Sequence, residues 1–166
     1  MNPPSASHAP RVLFVCMGNI CRSPMAQAVF QQLVKDAGLA DVVQVDSAGT
    51  HDYHVGEAPD ARAQQAAGRR GYDLSRLRAR QARREDFDAF DLVLAMDRVN
   101  MRALQRLCPQ AHAHKLKLFM EFHSNREIRE VPDPYYGGED GFERVLDMVE
   151  DAGQGLLRHL RERSPL

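Results

Sequence analysis

The sequence predicts an α/β fold, a parallel β-sheet covered by helices on both faces. Three observations carry that expectation. Segments of strand character alternate with segments of helical periodicity along the whole chain. The strand segments are continuous apolar runs rather than alternating ones, as both-face burial requires. The composition, 43% hydrophobic and 27% charged over 166 residues, suits one buried core, and ~150 residues per domain gives about one domain.

Each element has its own signal. Val12-Leu13-Phe14-Val15 is a short apolar run in which Val and Phe favour a strand. A Gly-Asn turn follows, and Ser23-Pro24 has the form of a helix N-cap with proline at the first helical position. Met25, Val29, Leu33 and Ala37 then mark one helix face, ended by Gly38. Val42–Val45 reads as a second strand, stopped by Asp46-Ser47-Ala48-Gly49. A helix is expected from Pro59 to about Gly68, with an irregular stretch after it. That stretch, Arg69 to Arg84, holds seven arginines and one acid, Asp73; it reads as a solvated surface or as a patch for an acidic partner. Asp91–Met96 is a third strand, Arg98–Leu107 a helix that Asp97 would cap, and Lys115–Phe119 a fourth strand. A long loop through Val131-Pro132-Asp133-Pro134 leads to the last helix. There Phe142, Val145, Val149, Leu156 and Leu160 form a stripe, and Gly153 and Gly155 weaken its middle.

Charge narrows the function classes. The 22 Lys+Arg against 23 Asp+Glu leave a formal net charge of −1, which excludes a generally basic nucleic-acid binder and an acidic disordered chain. No apolar stretch approaches the ~20 residues of a membrane span. Met1–Pro10 lacks the basic start and apolar core of a signal peptide; it reads as a disordered lead-in to a single domain over 11–166. Cys16, Cys21 and Cys108 cannot all pair, and the expected compartment is a reducing cytoplasm. The seven histidines show no ligand spacing, so neither metal nor cofactor is expected.

The chemistry lies in Cys16-Met17-Gly18-Asn19-Ile20-Cys21-Arg22-Ser23. Between a strand and a helix, successive backbone N–H groups and the helix N-terminus make an anion cradle. Gly18 allows the close turn, and Arg22 offers a planar fork for two oxygens of a phosphate. There is no Gly-Lys-Ser/Thr ending, so this is not a nucleotide P-loop. A cysteine occupies the base instead, and the field that attracts a dianion also stabilises a thiolate. A thiolate beneath a bound phosphate is a nucleophile aimed at phosphorus. Cys21 reads either as buried filler or as a neighbour able to trap oxidised Cys16 as a disulfide.

The run VLFVCMGNICRSP resembles the signature of the low-molecular-weight protein tyrosine phosphatases. Asp46-Ser47-Ala48-Gly49-Thr50, Val55-Gly56-Glu57-Ala58-Pro59-Asp60, Ala79-Arg80-Gln81 with Asp86-Phe87-Asp88, and Asp133-Pro134-Tyr135-Tyr136 match that family too. The resemblance, to a bacterial-type member, implies a flavodoxin-like three-layer fold with a four-stranded parallel sheet of order 2-1-3-4. It also implies metal-independent hydrolysis of phosphotyrosine through a cysteinyl-phosphate. In that scheme Cys16 is the nucleophile, Arg22 binds phosphate with the loop from Met17 through Gly18, Asn19, Ile20 and Cys21, and Asp133 is general acid then base. Ser23 would donate to the Cys16 thiolate, and Asn19 with Ser47 would hold the loop. Tyr53, Tyr135 and Tyr136 would wall the slot, Tyr53 standing where several members carry Trp. Leu77 stands where some members carry a histidine that helps organise loop and serine, which leaves the network behind Ser23 open.

Rival readings share the cradle. Arsenate reductases of this fold need two further cysteines, and only Cys108 remains. Protein arginine phosphatases place threonine where this chain has Ile20 and lack the tyrosine pair. A non-catalytic phosphate-binding module would have lost Cys16 or Asp133, and both remain; redox sensing through Cys16 and Cys21 could coexist with catalysis. The implied partner is a phosphotyrosine-containing protein, such as a bacterial tyrosine kinase of surface-polysaccharide export, with phosphate or another oxyanion in the site.

Overall fold

A computed structural model describes residues 9–163. Its centre is a four-stranded sheet of order β2-β1-β3-β4, every neighbouring pair parallel. The strands are β1 (Arg11–Cys16), β2 (Gln44–Gly49), β3 (Leu92–Ala95) and β4 (Leu116–Leu118). The helices are α1 (Arg22–Asp36), α2 (Ala61–Gly68), α3 (Asp86–Ala89), α4 (Arg98–Leu107) and α5 (Glu139–Arg163). This is the expected order 2-1-3-4.

Pleating sorts the apolar runs onto two faces. Val12 and Phe14 of β1, with Leu92 and Leu94 of β3, face α1, α2 and α5; Leu13, Val15, Val93 and Ala95 face α3 and α4. Each of Val12 to Val15 is fully buried, which is why the sequence shows an unbroken run there. Phe14 anchors the larger layer, edge-on to Phe30 at 5.8 Å and to Phe119 at 4.8 Å between ring centroids.

Four expectations are corrected. Asp46-Ser47-Ala48-Gly49 does not stop the second strand; it is the larger part of β2, paired from Leu13↔Asp46 to Cys16↔Gly49. Turn-like composition yields here to tertiary demand. A Cβ on Gly49 would lie 2.7 Å from the Met17 carbonyl, and Ser47 donates to Gln27 Oε1 at 2.6 Å. Val42 and Val43 instead close a turn onto the Leu39 carbonyl. The fourth strand is shorter than expected, because Phe119 begins a 3₁₀ turn over Phe119–Phe122. Pro10 is not lead-in: it is buried, and its carbonyl accepts from Gln44 N at 2.9 Å. The rest of the lead-in, to His8, lies outside the described residues.

Ser23 is not the N-cap of α1. The helix starts at Arg22, Cys21 holds the cap position without a side-chain bond, and Ser23 sits inside the first turn. A capping hydroxyl would consume the amides of that turn. Asp97, by contrast, caps α4 by accepting from Asn100 N at 2.7 Å.

The arginine stretch divides. Arg69 and Arg70 clamp α5 through Glu143, with Arg70 also reaching Asp147 and Glu150 at 2.8–2.9 Å. Arg80 pairs with Asp46 and Asp86, each at 3.1 Å. Arg76, Arg83 and Arg84 remain on the exposed surface.

The helix α5 runs unbroken through Gly153 and Gly155. A Cβ on Gly155 would land on the Phe122 carbonyl, whereas one on Gly153 would meet the end of the Leu33 side chain at 2.9 Å and the Phe30 ring at 3.8 Å. The two glycines therefore answer to substitution with opposite signs. Gly155→Ala is expected to destabilise by about 1–3 kcal/mol, the usual cost of overpacking. Gly153→Ala is expected to be neutral or to gain up to ~1 kcal/mol of helix propensity. Urea unfolding of the two variants checks the pair.

Candidate active site

The loop from Met17 to Cys21 leaves the carboxyl end of β1 and opens α1, where ligands bind in sheets of this kind. Its outer carbonyls are tied down. Thr50 N donates to Cys16 O at 2.9 Å, His51 N to Met17 O at 3.0 Å, and Asp60 N to Ile20 O at 2.8 Å. Inside, Asn19 N donates to Cys16 Sγ at 3.3 Å. The amides of Gly18, Ile20, Cys21 and Arg22 have no acceptor among the described residues. One backbone donor thus meets the buried sulfur, and four more amides of the same loop are left free for an anion.

Asn19 holds the turn. It is the one non-glycine residue with positive φ among the described residues, at 58°, a region that Asn tolerates better than most. Its Nδ2 donates to Ser23 Oγ at 2.8 Å and Ser47 Oγ at 3.0 Å, while Oδ1 accepts from Arg80 N at 3.0 Å. Ser23 Oγ also lies 3.0 Å from Cys16 Sγ and 3.3 Å from the Ala48 carbonyl. Because Asn19 already donates to it, the single Ser23 hydroxyl proton has the sulfur or the carbonyl as its acceptor. The network closes through Asn19, Ser47, the Ala48 carbonyl and the Arg80 amide. Leu77 packs against the core.

Arg22 is almost wholly buried, at 2% exposure. Nη1 donates to Asp97 Oδ2 at 2.6 Å and to the Val131 carbonyl at 3.0 Å. Nε and Nη2 carry no hydrogen bond among the described residues, and Nη2 lies 3.6 Å from Asp133 Oδ2. One edge of the guanidinium is anchored; the other is a fork presented to the cavity. Burial disfavours its charge, yet Cys16, Asp97 and Asp133 outweigh that and push its pKa up. Cys21 goes the other way from a nucleophile. Burial, then the charges of Asp60, Cys16 and Asp133, push its thiol pKa up, so it stays protonated. Cys16, Cys21 and Cys108 are all free thiols.

These groups line a cavity of about 260 Å³. Of the residues expected from sequence, Cys16, Met17, Gly18, Ile20, Cys21 and Arg22 form its floor, and Asp133, Tyr53, Tyr135 and Tyr136 its walls. Asn19, Ser23 and Ser47 do not line it; they lie buried behind the loop. Asp133 is over one-third exposed, and its Oδ1 accepts from Tyr135 N at 3.1 Å. Two neighbours were not anticipated. His54 completes the wall beside Tyr53, and no pattern in the sequence marks it. Asp97, expected only as a helix cap, is also the partner of Arg22. The strand register signals that role: Val15 pairs with Ala95, so the residues just past β3 lie beside the phosphate-cradle loop.

Fold and site together define an α/β protein with a thiol and an arginine at the base of an oxyanion pocket. A sequence profile of the low molecular weight phosphotyrosine protein phosphatases matches residues 11–165, and the chain belongs to that family. The low molecular weight protein-tyrosine-phosphatase of Streptomyces coelicolor is 49% identical over 156 residues, covering 92% of this chain and 94% of that protein. The human low molecular weight phosphotyrosine protein phosphatase is 44% identical over 135 residues, covering 81% and 85%. Among solved structures, a protein tyrosine phosphatase from Entamoeba histolytica with Hepes in its active site superposes with a TM-score of 0.90 at 41% identity, covering 93% and 99%.

Removing one partner from a buried charge leaves the other uncompensated. Asp97→Ala is expected to lower stability by about 3 kcal/mol and to weaken phosphate binding, since Arg22 loses its shortest contact. Urea unfolding and phosphate inhibition constants check the two effects.

Proposed function

We propose that the chain hydrolyses phosphotyrosine in proteins through a cysteinyl-phosphate, using the single domain 11–166. The observation that carries this reading is the meeting of Cys16 Sγ, unpaired loop amides, the free edge of Arg22 and the Asp133 carboxyl in one cavity. Phosphate-monoester hydrolysis needs a nucleophile, stabilisation of charge on the equatorial oxygens, and a proton for the leaving oxygen. Cys16 attacks phosphorus in line. The amides and the Arg22 fork receive the equatorial oxygens, and they are effective because they are already in place. Asp133 protonates the tyrosyl oxygen as it leaves. It then takes a proton from the water that attacks the thiophosphate, and the Ser23 hydroxyl, 3.0 Å from Cys16 Sγ, donates a hydrogen bond to the departing thiolate. These side chains and amides supply each role, so the reaction as written calls on no metal.

Depth selects the substrate. Cys16 is 3% exposed at the bottom of a slot walled by Tyr53, Tyr135 and Tyr136, so a long aryl phosphate reaches the sulfur and phosphoserine does not. The tyrosine walls, with Ile20 in the loop, favour an aryl ester over phosphoarginine. No helix among the described residues is long and apolar enough to cross a membrane, which fits a cytoplasmic enzyme. A bacterial tyrosine kinase of surface-polysaccharide export is a fitting partner.

Initial rates on phosphotyrosine, phosphoserine and phosphoarginine peptides, with EDTA present, test the reading. Only phosphotyrosine is expected to turn over, and Cys16→Ser to abolish turnover while still binding phosphate. Asp133→Ala is expected to lower the rate by roughly 10²–10⁴. A near-wild-type rate would remove Asp133 from its role, and preference for phosphoarginine would change the substrate class.

A further inference from the structure

Arg62, in the first turn of α2, does not line the cavity, yet it joins the two loops that do. Its guanidinium carbon lies 5.2 Å from the centre of the Tyr135 ring and 5.0 Å from that of Phe142. Asp60 grips the guanidinium from the side: Nε donates to Oδ1 at 3.1 Å and Nη2 to Oδ2 at 3.0 Å. The same Oδ1 accepts the Arg62 amide at 2.8 Å. A planar cation held in a bidentate grip offers aromatic rings a fixed surface, which a flexible ammonium would not.

The contacts continue in both directions. Asp60 N donates to the Ile20 carbonyl of the phosphate-cradle loop at 2.8 Å. Tyr135 N donates to Asp133 Oδ1 at 3.1 Å. One path therefore runs Ile20, Asp60, Arg62, Tyr135, Asp133, from the cradle to the acid. The acid loop is also held from the other side by Arg22, whose Nη1 donates to the Val131 carbonyl at 3.0 Å and whose Nη2 lies 3.6 Å from Asp133 Oδ2. Within itself it is held by Gly137 N, which donates to the Pro134 carbonyl at 3.0 Å. Val131 N is tied to the Met96 carbonyl at 2.8 Å, and Pro134 is buried against Gly141. Asp133, Tyr135 and Tyr136 are exposed.

We propose that Arg62 is a positioning residue, one that fixes the Tyr135 ring and, through the Tyr135 amide, the Asp133 carboxyl over Cys16. The proposal rests on the phosphatase reading, and its signature is separable from that reading. A misplaced acid matters most when the leaving oxygen is basic. Phenolate is a far more basic leaving group than p-nitrophenolate, so the two aryl phosphates report the acid differently. The parameter is kcat/KM, which covers steps up to phosphorylation of Cys16.

In Arg62→Ala, the loss on phenyl phosphate is expected to exceed the loss on p-nitrophenyl phosphate by roughly tenfold, the scale of a displacement under an ångström. Arg62→Lys, which keeps the charge without the fork, is expected to recover little of it. In an Asp133→Ala background, Arg62→Ala is expected to change neither rate further, since it acts through Asp133. Equal losses on both esters, no loss, full recovery by lysine, or a further fall in the double variant would each overturn the proposal. Should Arg62→Ala fail to fold, Phe142→Leu removes one ring from the cation and is expected to give the same leaving-group signature. Absence of p-nitrophenyl phosphate turnover in the wild type, or its survival in Cys16→Ser, would instead overturn the underlying reaction.

Discussion

The loop between β1 and α1 keeps its shape because one buried amide side chain, that of Asn19, is bonded to three separate parts of the chain. Its two donors go to Ser23 on α1 and Ser47 on β2, and its carbonyl takes the Arg80 amide. Left-handed backbone costs a non-glycine residue roughly 1–3 kcal/mol, and these bonds offset that cost. Without them the loop would relax, and its free amides would turn to water or to one another. Ser47 passes the restraint on by donating to Gln27 of α1 at 2.6 Å. The loop is thus fixed to the sheet on one side and to the helix on the other before any ligand arrives. Charge stabilisation by fixed dipoles depends on such prior placement.

Arg22 solves a second problem, that of holding a cation in a buried place without neutralising it toward its ligand. Asp97 and the Val131 carbonyl both act on Nη1, leaving the opposite edge open. Val131 is itself bonded to Met96 at the end of β3. The same guanidinium therefore joins the end of the third strand to the start of the acid loop. Burial alone would lower the affinity of Arg22 for its proton, and the surrounding negative groups reverse that. The arrangement also separates the two cysteines that share the loop. Cys16 sits among donors, whereas Cys21 is buried beside carboxylates and held as a thiol.

The fold was legible because burial on both faces leaves a plain mark. Val12 to Val15 and Leu92 to Ala95 are unbroken apolar runs in sequence and fully or nearly fully buried strands in structure. The cavity thiol, Cys16, and the buried Arg22 were legible because one short segment carries them. What stayed hidden depends on residues brought together from afar. Asp46 to Gly49 has the composition of a turn, and only pairing with β1 makes it a strand. Ser23-Pro24 has the composition of a cap, but a side-chain cap would have spent the amides that an oxyanion needs. Arg62 shows no signal at all, since its two rings lie more than seventy residues further along the chain.

The replacement of a histidine by Leu77 can be weighed in the same terms. An imidazole supporting the loop would change its charge between about pH 5 and 8. In this chain Asn19 Oδ1 is held by the Arg80 amide, a donor that does not titrate. That amide is held where it is needed by the Arg80 side chain, whose guanidinium bridges Asp46 and Asp86. Nearby, Ala82 N and Gly49 N bond across to Gly49 and Arg80 carbonyls at 2.7 and 2.8 Å. Within the arginine-rich stretch, Arg80 thus contributes to the site through its backbone, and its side chain fixes that backbone. The bond from Arg80 N to Asn19 Oδ1 is therefore unchanged across the range in which an imidazole would lose or gain a proton.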